Sequence, residues 1–144
     1  MNIKPLNEID HTSWLSLWKA YQTFYQVSLS EEINSATWQR LTHDSHQHMY
    51  GFAAVLNGKV VGIVHVIEHE SCWTLAPYAY LQDLYTHADF RGLGVAKALI
   101  EQVRLHTVQR GCDRVYWLTH QDNDVAQALY DRVARKTGFI QYRI

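Results

Sequence analysis

The chain has 144 residues, 47% of them hydrophobic and 19% charged, with a formal net charge of −1. That balance suits one soluble domain with one core, and it sets up no basic field for nucleic acid. No apolar run approaches the roughly eighteen residues of a membrane span, and the opening MNIKPLNEID lacks the apolar stretch of a signal peptide, so a cytoplasmic protein is expected.

Cys72 and Cys112 make no disulfide framework. Both sit beside apolar residues and are expected to pack as small hydrophobes. No repeat or Pro/Ser-rich linker divides the chain, so residues 1–144 read as a single domain. Residues 1–6 suit a first strand. Trp14, Leu17, Trp18, Tyr21 and Tyr25 then recur at helical spacing across 11–26, with Thr12 or Ser13 as the cap. SLSEEINSATWQRL opens a second helix behind Ser30, with Glu31 and Glu32 in its first turn. Residues 49–70 read as a hairpin, because Asn57-Gly58 favours a two-residue turn between β-rich runs. APYAYLQDLYTHA is another strand, with Leu81, Asp83 and Tyr85 alternating onto one side. A helix follows the glycines, its buried face made by Val95, Ala96, Leu99, Ile100 and Val103, and Gly111 ends that unit. DRVYWLTH is a strand. NDVAQALYDRVARK is a helix capped by Asp122 or Asn123, with Gly138 beyond its end, and FIQYRI closes as a short strand. This order predicts an α/β protein with a mixed sheet, since the hairpin is antiparallel and helical crossovers are parallel.

FRGLGVAKALI, residues 90–100, carries the chemical signal. A helix start leaves backbone N–H groups unpaired and carries partial positive charge. Glycines let a phosphate come close to that backbone, and Arg91 adds a cation. A P-loop would need a longer glycine spacing ending in Gly-Lys-Ser/Thr, whereas Val95 and Ala96 follow Gly94 here. The dinucleotide fingerprint would need a third glycine where Lys97 stands. A tight turn that lets the helix pack closely is the competing structural reading.

Arg91-Gly92-Leu93-Gly94-Val95-Ala96 resembles the signature Gln/Arg-x-x-Gly-x-Gly/Ala of the GNAT superfamily of acetyl-CoA-dependent N-acetyltransferases. YLQDLYTHADFRGLG and ALYDRVARKTGFIQYRI look like its polyamine and small histone/polyamine branch. Asn123 and Tyr130 match a second motif. The resemblance implies a GNAT-like fold: a mixed central β-sheet flanked by helices, split between two parallel strands around 84–86 and 115–119 to admit CoA. It implies that amides from Arg91, Gly92, Leu93, Gly94, Val95 and Ala96 hold the pyrophosphate, with Lys97 on the same turn. Leu84, Tyr85 and Thr86 would offer backbone to the pantetheine arm, and Asn123 would touch that arm. Tyr130 would protonate the departing thiolate. No metal is implied, and a homodimer is.

At 82 the branch usually carries glutamate as base or amine ligand, and this chain has Gln82. An alkyl ammonium must lose a proton before it attacks, and glutamine cannot take it. Gln82 and Asp83 remain the catalytic candidates at this point of the strand. Regular alternation would turn Asp83 to the opposite face, unless a bulge intervenes. Glu31, Glu32, His65, Glu68 and a water chain are the other candidate bases. His43, His46 and His48 read as a solvated loop rather than a zinc site. The expected activity is acetyl transfer to a primary amine of a small molecule. A lysine side chain of a protein or peptide is the second acceptor. A regulatory module that binds acyl-CoA without turnover is the reading from a different class.

Overall fold

A computed structural model describes residues 1–144. Its strands are β1 (Asn2–Pro5), β2 (Met49–Leu56), β3 (Lys59–His69), β4 (Tyr78–Thr86) and β5 (Arg114–Tyr116). Its helices are α1 (His11–Phe24), α2 (Glu31–Thr42), α3 (Val95–Gln109) and α4 (Asp124–Val133). Asn57 and Gly58 both take positive φ, 49° and 78°, and close the β2–β3 hairpin with the backbone twist that such a turn requires. The five strands lie in sequence order. All neighbours are antiparallel except β4 and β5, which are joined in parallel through α3. The expected α/β mixed sheet is present.

The sheet separates two cores. On one face Val95, Leu99, Ile100 and Val103 of α3 pack on Phe52, Ala54, Val64, Val66, Ala79 and Leu81. On the other, Trp14, Leu17 and Trp18 of α1 and Leu41 of α2 pack on Leu6, Ala53 and Ile63. Each such aliphatic side chain fully buried is worth about 1.5–3 kcal/mol, so both helical layers are held by apolar contact rather than by propensity. Gly62 lets α3 lie close to β3. A Cβ there would stand 2.6 Å from Val95 Cγ1 and 3.2 Å from the Tyr85 carbonyl.

Several expectations change. Asp10, not Thr12 or Ser13, caps α1: its Oδ2 accepts the Ser13 N–H at 2.7 Å and Oδ1 the Ser13 hydroxyl at 2.8 Å. Ser30 caps α2 and Asn123 caps α4, as their positions suggested. Gly111 ends α3 at φ 77°. Its N–H donates to Val108 O and that of Cys112 to Thr107 O, the paired bonds of a left-handed helix end. β5 stops at Tyr116 instead of running to His120, and α4 stops at Val133. Residues 139–144 form no strand, since no neighbouring strand offers them a ladder. Phe139, Ile140, Tyr142 and Ile144 are all exposed. Cys112 packs beside the α3 core, where burial pushes its thiol up to about 11, but Cys72 is exposed on the β3–β4 loop.

Candidate active site

β4 is longer than its partner β5. The parallel ladder joins Tyr78, Ala79 and Tyr80 to Arg114, Val115 and Tyr116, and then stops. From Leu81 to Thr86 that edge of β4 is left without a strand. The opening therefore lies between 81–86 and the non-strand residues after Tyr116, so of the 115–119 expected to flank it, Val115 and Tyr116 belong to the paired ladder instead. Thr86, at the open end, keeps a buried hydroxyl with no hydrogen-bond partner. Such a group is satisfied when a polar ligand is placed beside it.

A bulge resets the faces of β4. Val66 is opposite Leu81 and His65 is opposite Asp83, so Gln82 is an extra residue without a partner in register. Leu81 and Leu84 pack toward α3, whereas Asp83 and Tyr85 face α1. This corrects the alternation that put Leu81, Asp83 and Tyr85 on one side. Gln82 itself is exposed.

Asp83 stands in an aromatic wall. Its Oδ2 is 3.0 Å from His65 Nδ1. Tyr21 meets Tyr25 at 5.0 Å and Tyr85 at 6.0 Å between ring centres, and Trp18 stacks on Tyr21 at 5.5 Å. Burial, then the neighbouring Asp83 carboxylate, pushes the Tyr21 phenol well above its usual range. Across the opening, Tyr130 of α4 meets Trp117 edge-on at 5.4 Å. Burial pushes its phenol up, with Tyr25 adding to the effect, so the O–H stays protonated at neutral pH.

The start of α3 adjoins the open end of β4. Gly92 and Gly94 have φ of 77° and 80°, a backbone that L side chains rarely adopt. No side chain caps the helix, and Ala98 N–H to Gly94 O, 3.0 Å, is the bond that begins it. The amides of Val95, Ala96 and Lys97 thus precede the first helical bond and face outward as donors. Leu93 and Lys97 are exposed on the same turn. The Arg91 guanidinium, rather than standing over the loop, lies 5.8 Å from the Phe24 ring centre and 6.0 Å from that of Tyr85. Asn123 Oδ1 is occupied by the Ala126 N–H at 3.2 Å, which leaves its amide nitrogen free for a second contact.

The structure brings Tyr130, Asp83, residues 84–86 and residues 91–97 to one end of the sheet. It separates others from that end. Glu68 has its oxygens taken by Tyr50 and Arg110, and Glu31 pairs with Lys19 at 3.0 Å on the surface. Sequence reasoning missed Tyr21 as a neighbour of Asp83, Tyr25 as the partner of Tyr21, and Trp14 as the partner of His65. The signal was their spacing on one face of α1, but nothing in the sequence says that this face meets the bulged part of β4.

Residues 14–134 match the acetyltransferase (GNAT) family, and the chain belongs to that family. It is an acetyl-CoA-dependent N-acetyltransferase. It is 32% identical over 143 residues to a D-amino-acid N-acetyltransferase of Saccharomyces cerevisiae, covering 98% of this chain and 88% of that protein. The fold is similar to that of an aminoglycoside N-acetyltransferase in complex with CoA, with a TM-score of 0.85 at 19% identity over 99% of this chain and 93% of that one. It is also similar to a ribosomal-protein-alanine N-acetyltransferase from Brucella melitensis biovar Abortus 2308, with a TM-score of 0.79 at 20% identity over 100% and 99% of the two chains.

Proposed function

We propose that residues 1–144 form one acetyltransferase domain that moves the acetyl group of acetyl-CoA to a primary amine of a small molecule. The observation that carries this reading is the unpaired edge of β4, which runs from the bulge beside Asp83 to the uncapped start of α3. The edge of 84–86 turned away from β3 suits the amide-bearing pantetheine arm, which can add to a strand edge as a peptide would. Amides of residues 91–96, with Lys97, suit the pyrophosphate. The free amide nitrogen of Asn123 suits a carbonyl of the arm.

The amine attacks the thioester carbonyl directly, with both substrates bound. A C–N bond forms, the C–S bond breaks, and the departing sulfur takes a proton from Tyr130. Positioning of the two substrates supplies much of the rate, and backbone donors steady the tetrahedral oxyanion. Similarity to a D-amino-acid N-acetyltransferase favours an amino acid over a polyamine as the acceptor. Gln82, where the polyamine branch carries glutamate, points the same way. Cytoplasmic work as a homodimer belongs to the same reading. An intracellular cosubstrate and two unpaired cysteines support the first, and the exposed apolar tail at Phe139, Ile140, Tyr142 and Ile144 supports the second.

Release of CoA thiol from acetyl-CoA, scanned over D- and L-amino acids, small amines, polyamines, aminoglycosides and lysine peptides, tests the proposal. Release that depends on a small amine is expected. Release only with lysine peptides would transfer the reading to protein substrates. A melting temperature raised by acetyl-CoA, with no release on the whole panel, would leave a binding module.

A further inference from the structure

Trp14, His65 and Asp83 are joined end to end across the α1 face of the sheet. The Trp14 indole N–H donates to His65 Nε2 at 3.0 Å, and His65 Nδ1 stands 3.0 Å from Asp83 Oδ2. Trp14 is wholly buried and His65 is 2% exposed, so water replaces neither bond. An indole nitrogen only donates. His65 Nε2 must then present its lone pair to Trp14, which leaves the ring proton on Nδ1, where it donates to the carboxylate. The chain of bonds runs one way and ends on an acceptor.

That acceptor is reachable. The Asp83 side chain keeps 15% of its surface, in contrast to the 3% of His65. No other acid occurs on β4, and α1 has none at all. An ammonium entering between α1 and β4 meets one carboxylate, which lies beside the Tyr21 phenol, with the Tyr85 ring 6.0 Å beyond that of Tyr21. The bulge at Gln82 makes this possible, because without it Asp83 would point to the α3 core.

We propose that Asp83 receives the ammonium of the acceptor and takes its proton, with His65 and Trp14 as positioning residues that aim the carboxylate. This rests on the acetyl-transfer reading above. In the step, the ammonium passes one proton to Asp83 and the freed amine pair attacks the thioester carbon. The nitrogen loses a second proton to solvent as the amide forms. Tyr130 protonates the sulfur and is recharged from solvent, and Asp83 returns its proton to solvent. The sum is ammonium plus acetyl-CoA giving amide, CoA thiol and one proton.

Amine-dependent thiol release in D83N, H65L and H65N tests it, beside the acetyl-CoA-induced rise in melting temperature. D83N is expected to lose about 100-fold or more in kcat/KM for the amine with acetyl-CoA binding intact. H65L is expected to lose about 10–100-fold in kcat, as supporting partners of a reactive group do. H65N can still donate from the Nδ1 position and is expected to recover most of that loss, which a packing role would not produce. Nitrogen NMR of the His65 ring reads the same arrangement without turnover, and stands in should H65L not fold. A protonated Nδ1 with a bare Nε2 is expected. D83N at the unmodified rate, H65N as slow as H65L, or a proton on Nε2 would each overturn this inference alone. Thiol release that ignores every amine in the unmodified enzyme would overturn the acetyl-transfer reading and this inference with it.

Discussion

Burial keeps the Tyr130 phenol protonated, as the acid role proposed for it requires. With its phenol pushed above the ordinary range, it remains a proton donor through the whole neutral and mildly alkaline range. The rate in the unmodified enzyme should therefore show no fall on the alkaline side until pH passes about 10, the ordinary phenol value. Y130F should lower kcat about 100-fold while acetyl-CoA still raises the melting temperature as before, because the ring and its contact with Trp117 survive. Asn34 shows what a buried polar residue does for the fold alone. Its Oδ1 accepts from Trp18 Nε1 at 2.9 Å and from Gln22 Nε2 at 3.0 Å, and it is 2% exposed. N34A strands two donors between α1 and α2. Urea denaturation should show a loss of about 2–4 kcal/mol.

At the scale of elements, two glycines hold α3 in its working place for different reasons. Gly62 supplies room, since any Cβ there collides with Val95 and with the Tyr85 carbonyl. Gly94 supplies a left-handed backbone in open space. G62A should destabilise the fold and weaken acetyl-CoA binding together, because α3 must lift from β3. G94A meets no atom, so it should cost about 1–2 kcal/mol of strain and act mainly on the loop. Titration of acetyl-CoA against both variants, beside their melting temperatures, separates the two effects. The bulge in β4 is the other device at this scale. One extra residue changes which core Asp83 faces, with no change in the order of elements.

For the whole molecule, Glu68 ties β3 to the end of α3 and to β2. Burial raises its carboxyl, but hydrogen bonds from Arg110 and Tyr50 outweigh this, and its titration lies below the ordinary 4.5. A depressed carboxyl contributes stability above its unfolded value and loses it as pH falls through the folded one. Stability should thus hold at neutral pH and decline below about pH 4.5. E68Q should flatten that decline, measured by melting temperature against pH. The C-terminal residues carry the other prediction at this scale. If the exposed apolar tail meets a second copy, a chain ending at Thr137 should sediment as a monomer where the full chain is a dimer.

Much of the architecture was legible because it is local chemistry. The Asn-Gly turn, the caps at Ser30 and Asn123, the apolar face of α3 and the glycines before it all act within a few residues. Each therefore leaves a pattern that period and spacing reveal. The same is true of the GNAT signature at 91–96. The acetyltransferase family could be read from that stretch, and the structural and family comparisons agree. What only the tertiary structure decided is non-local. Where the β4–β5 ladder ends depends on how far β5 stays beside β4. Which way Asp83 points depends on a register shift against β3, and neither strand records that shift in its own sequence. The Trp14–His65–Asp83 chain joins residues 51 and 18 positions apart, so no spacing rule could find it. The terminal strand failed to form for the same reason: FIQYRI has the alternation of a strand, but a strand needs a neighbour, and a sequence states its pattern without naming its partner.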